Sequence, residues 1–366
     1  MKLSNLQLFW MIFIFLIGNI LLRMGSPLAE VALQDGWMSV IIATLCALLV
    51  LLIASKISLL YPNLNFLELC RQIMGKWLGS ILFVTYLLYF IIAVGKILAE
   101  SSSFTLKILL PATPIWAIMI PMLMLIIYGI YIGGIEGIGR CSEVFGPINI
   151  VGILFLILLA IPSLNFQGIL PVYVDSGFTA IIKGSIFPFT IFSETVIVLM
   201  LLPFVHVRKK GAISVAWGLA ITGFVSTIII FFTLMTVGPD LAARLQYPVF
   251  DMVRFINIMN FIQNLEIVGI SIWILSVFIK MSVYLFLASY GSAQLFNMKD
   301  WRKTVWFVGA ITLTIAYVLL KLHLEDIEFF KLIAIPYIIP INMIGIPLLL
   351  LIVGTIRNKK DKTRQQ

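Results

Sequence analysis

The chain has 366 residues, of which 61% are hydrophobic and only 11% are charged, with a formal net charge of +9; soluble domains run near half apolar and about a quarter charged. No aqueous fold can hide that much apolar surface, so a soluble enzyme is excluded. At roughly 20 apolar residues per crossing of a hydrocarbon core about 30 Å thick, the composition predicts an all-α membrane protein of about ten transmembrane helices, in one polytopic domain over 1–356 followed by a basic tail at 357–366.

Met1 to Asn5 carries one lysine and leads into a long apolar run. No small-residue cleavage site follows, so the start is expected to be retained as the first span. Apolar segments between charge or Pro/Gly punctuation predict spans at about 6–33, 37–60, 78–109, 113–133, 141–161, 184–205, 212–237, 262–295, 304–322 and 330–356. With the N-terminus inside, sixteen basic residues from Lys2 to Arg364 fall on the cytoplasmic side, against six (Lys107, Lys183, Arg244, Arg254, Lys321 and Lys331) on the other. This is the positive-inside bias; it accounts for the net charge without nucleic acid and places both termini in the cytoplasm. The basic tail after Thr355 reads as a stop-transfer anchor beside anionic lipid.

Cys46, Cys70 and Cys141 are scattered, and His206 and His323 lie far apart, so neither a disulfide framework nor a metal site is expected. Phosphate-cradling loops, a nucleophile elbow and a dinucleotide fingerprint are missing from the sequence. The reading is therefore a protein without catalytic residues, cofactor or metal.

Two connections are longer than a hairpin needs, 61–77 and 238–261, and each carries a Tyr-Pro pair, Tyr61-Pro62 and Tyr247-Pro248. They match if the chain is two inverted halves of five spans, about 1–163 and 178–356. The same matching pairs span 1 with span 6 and the long span 3 with the long span 8. Span 1 contains Gly18-Asn19 and then Gly25-Ser26-Pro27; span 6 contains Phe187-Pro188-Phe189. Freed backbone groups survive in a membrane only where protein or a watery cavity satisfies them, so interruptions at corresponding positions point to a central site. There half-helix ends can hold a carboxylate and unwound carbonyls an ammonium, the two groups of an amino acid. Ordinary packing kinks are the alternative.

Arg23, Lys96, Glu100, Glu194, Glu266 and Lys280 fall within predicted spans, where a charge must pair, face the interior or snorkel to the interface. Glu266 lies near a span end and reads as interfacial. Lys96 and Glu100 are four apart and either neutralise each other or act in gating. Glu194, seven residues past Phe187, is either a ligand or proton contact or half of a structural pair. Lys280, midway along span 8, is either a fixed cation in the place of a bound sodium or a partner for Glu194. The run Gly133 to Glu143 reads as a cytoplasmic turn in which Glu136, Arg140 and Glu143 form a network locking spans 4 and 5, or a gate.

The order of these features resembles the B subunit of the spore germinant receptors, the spore germination permease branch of the amino acid/polyamine/organocation transporter superfamily. The matching stretches are Ser4 to Gln7, Gly18, Asp35 to Ser39, Tyr61-Pro62, Leu110-Pro111-Ala112-Thr113-Pro114, the turn from Gly134 to Glu143, Leu170-Pro171 and Pro188-Phe189. The resemblance implies a LeuT-like fold of two inverted five-helix repeats, with spans 1 and 6 interrupted around a ligand pocket. It implies a ligand-sensing subunit in the spore inner membrane, assembled with a larger A subunit and a lipoprotein C subunit, that binds an amino acid nutrient and triggers germination. A proton-coupled amino acid permease is the alternative. Superfamily glycine motifs are replaced here by Gly18-Asn19-Ile20 in span 1 and by a span 6 stretch with Thr190 and Phe192 that ends at Glu194. The expected ligand contacts are therefore Gly18, Asn19, Ile20, Phe187, Pro188, Phe189, Phe192, Glu194 and Lys280.

Overall fold

The computed structural model describes residues 2–256, 265–323 and 327–365, with the side chains of Ile327, Phe330 and those after Asn358 left aside. The first residues of predicted span 8 and the last of the loop before it, 257–264, lie outside the described residues. Nearly every described element is a helix. A capping box starts α1 (Asn5–Arg23): Ser4 accepts from the Gln7 backbone N–H at 3.0 Å while the Gln7 side chain accepts from Ser4 N–H at 3.1 Å. Next come α2 (Gly25–Ala32), α3 (Gly36–Leu60), α4 (Phe66–Met74), α5 (Lys76–Ile108) and α6 (Trp116–Ala160). The second half comprises α7 (Gly177–Phe192), α8 (Val198–Leu201), α9 (Arg208–Val237), the short α10 (Pro239–Arg244) and α11 (Pro248–Arg254), α12 (Glu266–Leu295) and α13 (Arg302–Lys321). A one-turn α14 (Ile327–Phe329), a π-helix (Phe330–Gly345) and α15 (Ile346–Gln365) complete it.

Nine helices among the described residues are long and apolar enough to cross a membrane, not ten. The difference is α6, whose 45 residues would stretch about 68 Å at 1.5 Å per residue, more than twice the hydrocarbon core. Gly134 divides it, with φ 53° and ψ −154°, a backbone conformation that glycine adopts without steric cost. Spans 4 and 5 thus meet at a one-residue break; the turn expected over Gly133 to Glu143 is helical from Ile135 onward.

Each half opens on an interrupted helix, and a loop helix follows the second span of each: α4 in the first half, α10 and α11 in the second. An odd number of spans per half makes the repeats inverted. The first-half interruption adjoins the expected Gly25-Ser26-Pro27 rather than Gly18-Asn19, and the second-half one lies past Pro188. In the first half the helix runs unbroken through Gly18-Asn19 and breaks at Met24. Pro27 explains this, because a proline lacks the N–H for the carbonyl four residues back, here Arg23, and its ring crowds that carbonyl. Gly18 serves packing instead: a Cβ there would sit 2.8 Å from Ser276 Cβ of α12, the close approach that small residues permit between membrane helices. In the second half α7 continues through Pro188 to Phe192, and a 3₁₀ stretch, Ser193–Ile197, follows. Hydroxyls of Thr190, Ser193 and Thr195 donate to the carbonyls of Phe187, Thr190 and Phe192 at 2.6, 3.2 and 2.9 Å, satisfying backbone acceptors around the irregular turns.

Burial orders the bundle. The apolar windows of Gly177–Phe204, Glu266–Leu295 and Asn5–Arg23 are 89%, 78% and 61% buried, against 28% for Trp116–Ser163. Spans 6, 8 and 1 therefore form the centre, and spans 4 and 5 face outward.

Candidate functional site

At the centre α1, α5 and the α7/3₁₀ segment face the π-helix across a cavity of about 40 Å³. Its polar wall is made of Asn19 from α1, Tyr89 and Lys96 from α5, Thr190 from α7 and Glu194 from the 3₁₀ stretch. Apolar lining comes from Ala334, Ile338, Ile339 and Met343 of the π-helix and from Ala93 and Ile97 of α5. A π-helix of any length is rare and recurs at functional sites; here Pro336 and Pro340 interrupt its hydrogen bonding. Such room holds about three waters, so a larger guest requires a wall to move.

Two buried charge clusters flank this cavity. In the first, Glu100 accepts from Arg23 Nε at 2.5 Å and from the Lys96 ammonium, joining α1 to α5. Arg23 also lies over the Tyr247 ring, 5.7 Å from its centroid. In the second, the Lys280 ammonium of α12 donates to Glu194 of the 3₁₀ stretch. It also sits 4.8 Å from the Phe15 ring and 5.9 Å from the Tyr284 ring, within cation–π range. Tyr284 and Tyr89 share a hydroxyl hydrogen bond of 2.7 Å, which links the second cluster to the cavity wall. Unpaired charges at this depth cost several kcal/mol or more, so the low-dielectric interior enforces these contacts.

The structure sorts the expected contacts. Asn19 and Glu194 line the cavity. Gly18, Ile20, Phe187, Pro188, Phe189 and Phe192 do not: the breaks fall at Met24, beside Gly25-Ser26-Pro27 but about a turn past Gly18-Asn19, and after Phe192, about a turn past Pro188. Lys280 lies behind Glu194 rather than on the wall, and its ammonium points to that carboxylate rather than to carbonyls near Gly18. Lys96, expected as a gating or structural residue, lies on the wall, and Glu100 holds it from behind. Glu266 ends near Arg254 at 3.5 Å, at the end of α12.

The network expected among Glu136, Arg140 and Glu143 holds no direct ion pair among the described residues, although Arg140 lies near enough to act on the Glu136 carboxylate through its charge. Glu136 accepts from the Lys2 backbone N–H at 2.7 Å and Glu143 from the Gln7 side chain at 3.2 Å, while Arg140 is exposed and forms no ion pair among the described residues. These carboxylates tie the start of the chain to α6 instead of joining spans 4 and 5.

Tyr89, the π-helical wall and the Arg23–Glu100 contact were missed from sequence. Two prolines four apart in the last span signalled an irregular helix; nothing in local spacing links residues 77 apart.

Solved structures share this architecture at low sequence identity. The nucleobase-cation-symport-1 family transporter MHP1, in a closed conformation with bromovinylhydantoin bound, superposes with a TM-score of 0.66 at 11% identity, covering 98% of this chain and 92% of that one. MhsT in complex with L-phenylalanine gives 0.64 at 15% identity, covering 97% and 89%. The fold is the LeuT type. Among sequences, the spore germination protein YndE of Bacillus subtilis (strain 168) is 28% identical over 72% of this chain and 73% of its own length. Spore germination protein KB of the same organism is 26% identical over 84% and 82%, and spore germination protein XB of Bacillus anthracis is 23% identical over 89% and 90%. The spore germination protein family model, a permease family, matches residues 2–324. A multi-pass membrane bundle with broken helices around a charged central cavity, matched along most of its length by that model, belongs to the spore germination protein family.

Proposed function

We propose that this chain is the ligand-sensing subunit of a spore nutrient receptor and that its central cavity binds a small amino acid. One observation carries the reading: Lys96 and Glu194, opposite in charge, line the same cavity as apolar residues of the π-helix. An α-amino acid presents a carboxylate, an ammonium and a side chain, and this arrangement offers each a complement. L-Phenylalanine in MhsT supports the choice by analogy of fold. Because the cavity is small, binding draws the π-helical wall outward, which gives the ligand a means of reporting its presence to other subunits. The family supports a spore inner-membrane location with A and C partners; the basic-residue distribution supports cytoplasmic termini and halves near 1–163 and 178–356.

The test is thermal stabilisation of the purified chain by a panel of L-amino acids. Stabilisation by at least one, lost in Glu194→Gln and in Lys96→Met, is expected; a panel without effect removes the cavity as a ligand site. The likeness to transporters favours a second reading, a proton-coupled permease. Labelled amino acid accumulating in liposomes that hold this chain alone would select it over the receptor.

A further inference from the structure

Two cavities away from the centre meet at Met298. The first is an apolar groove of about 390 Å³ between α5, α12 and α13. Leu88, Phe296 and Phe307 on its walls are 54%, 69% and 68% exposed, so it opens sideways toward hydrocarbon. Its one charged lining residue is Lys303, in the first turn of α13. The second is a polar basin of about 490 Å³ whose charged lining is Glu68 and Arg71 of α4 and Lys299. Met298 lines both.

The geometry sets depth as well as character. From Lys303 to Ile311 the groove follows α13 for eight residues, about 12 Å of helix, close to the hydrocarbon thickness of one leaflet, about 15 Å. The charged end then falls at head-group level. There three cations, Arg71, Lys299 and Lys303, face one carboxylate. That carboxylate is occupied, since Glu68 accepts the Asn65 backbone N–H at 2.9 Å in the capping box of α4. Arg71 donates to Ser80 at 2.9 Å, whereas Lys299 and Lys303 are exposed and have no ion pair among the described residues.

An apolar slot open to the bilayer that ends in excess positive charge is complementary to an amphiphile with an anionic head. We propose that this composite cavity binds an anionic phospholipid, with an acyl chain in the groove against Leu88 and Phe307 and the phosphate held by Lys303 and Lys299. The site is separate from the central cavity and does not depend on its ligand. Through α4 and α12 it joins a loop helix to the span that carries Lys280, so the lipid bridges elements from both halves.

Native mass spectrometry of the detergent-purified full chain tests this, with phosphatidylglycerol and phosphatidylcholine of identical acyl chains added in equal amounts. Phosphatidylglycerol should be retained preferentially, and each of Lys299→Gln and Lys303→Gln should cut the preference by about fivefold. Leu88→Trp, at an exposed position, should fill the groove and reduce retention of both lipids. Equal retention of the two lipids, or a preference that survives the double lysine variant, overturns the proposal. So does a groove that rejects lipid and is filled instead by a partner's helix in the assembled receptor.

Discussion

The pairs Lys96/Glu100 and Glu136/Arg140 each set a basic residue four residues from a glutamate, and they behave in opposite ways. Lys96 and Glu100 are both nearly fully buried and in direct contact, with Arg23 added from another helix. Glu136 and Arg140 have the same spacing on α6, yet Arg140 is exposed and makes no direct ion pair, acting on Glu136 only at longer range, while Glu136 binds the Lys2 backbone. The medium makes the difference. Inside the bundle an unpaired charge costs several kcal/mol, so any partner within reach is taken. At the water-exposed end a surface pair contributes little, and a backbone N–H competes successfully. Helical spacing therefore foretells a contact only where desolvation enforces it.

The strongest way to break this contrast is Lys280→Met. It leaves Glu194 buried without its cation, and removing one member of a buried pair costs about 3–5 kcal/mol. Chemical denaturation in detergent should show that loss, and Glu194→Gln added to it should recover most of the stability. A cost below about 1 kcal/mol would mean that water reaches the pair, and interior and turn would no longer differ in kind.

Lys96→Met should cost less, about 1–3 kcal/mol, because Glu100 keeps Arg23 at 2.5 Å. The same denaturation measurement checks it, and equality with Lys280→Met would show that Arg23 does not compensate. Gly18→Ala should cost about 1 kcal/mol, since its new Cβ would have to clear Ser276 Cβ from 2.8 Å. Gly18→Leu should cost more. If Gly18→Leu alters ligand response without altering stability, Gly18 belongs to the pocket after all.

These contrasts also explain what the sequence could convey. Hydropathy placed the described span boundaries to within about seven residues, because crossing length and apolar composition are local properties. The merged helix at Gly134 is still two spans by that measure. The breaks were foretold in the right helices. The first adjoins the expected Gly25-Ser26-Pro27, since proline acts on the carbonyl four residues back. Gly18-Asn19 stays helical because a glycine in a membrane helix is as useful for packing as for bending, and the span 6 break comes past Pro188. At the site, Glu194 and Asn19 were legible from their depth and from the irregular helices that carry them. Lys96 was read only as the neighbour of Glu100, since nothing in the chain states which face of α5 looks inward. The π-helical wall and the Arg23 contact needed tertiary structure, being set by which helices adjoin.

The smallest expected effect sharpens the comparison from its other end. Arg140 is exposed, touches no carboxylate closely enough to pair, and lies outside the helix-packing faces of α6. Replacing it by glutamine removes a solvated charge and leaves a good helix former, so stability should stay within ~0.5 kcal/mol of the parent. Salt separates this position from the interior: raising ionic strength from 0.1 to 1 M shortens the screening length from about 10 to about 3 Å. Any residual effect of Arg140→Gln should then vanish, while the loss in Lys280→Met should persist because ions do not enter the bundle. A salt-resistant loss at Arg140 would instead mean that this position, just past the Gly134 break, packs against something other than solvent, and interior and turn would again differ less than the contrast requires.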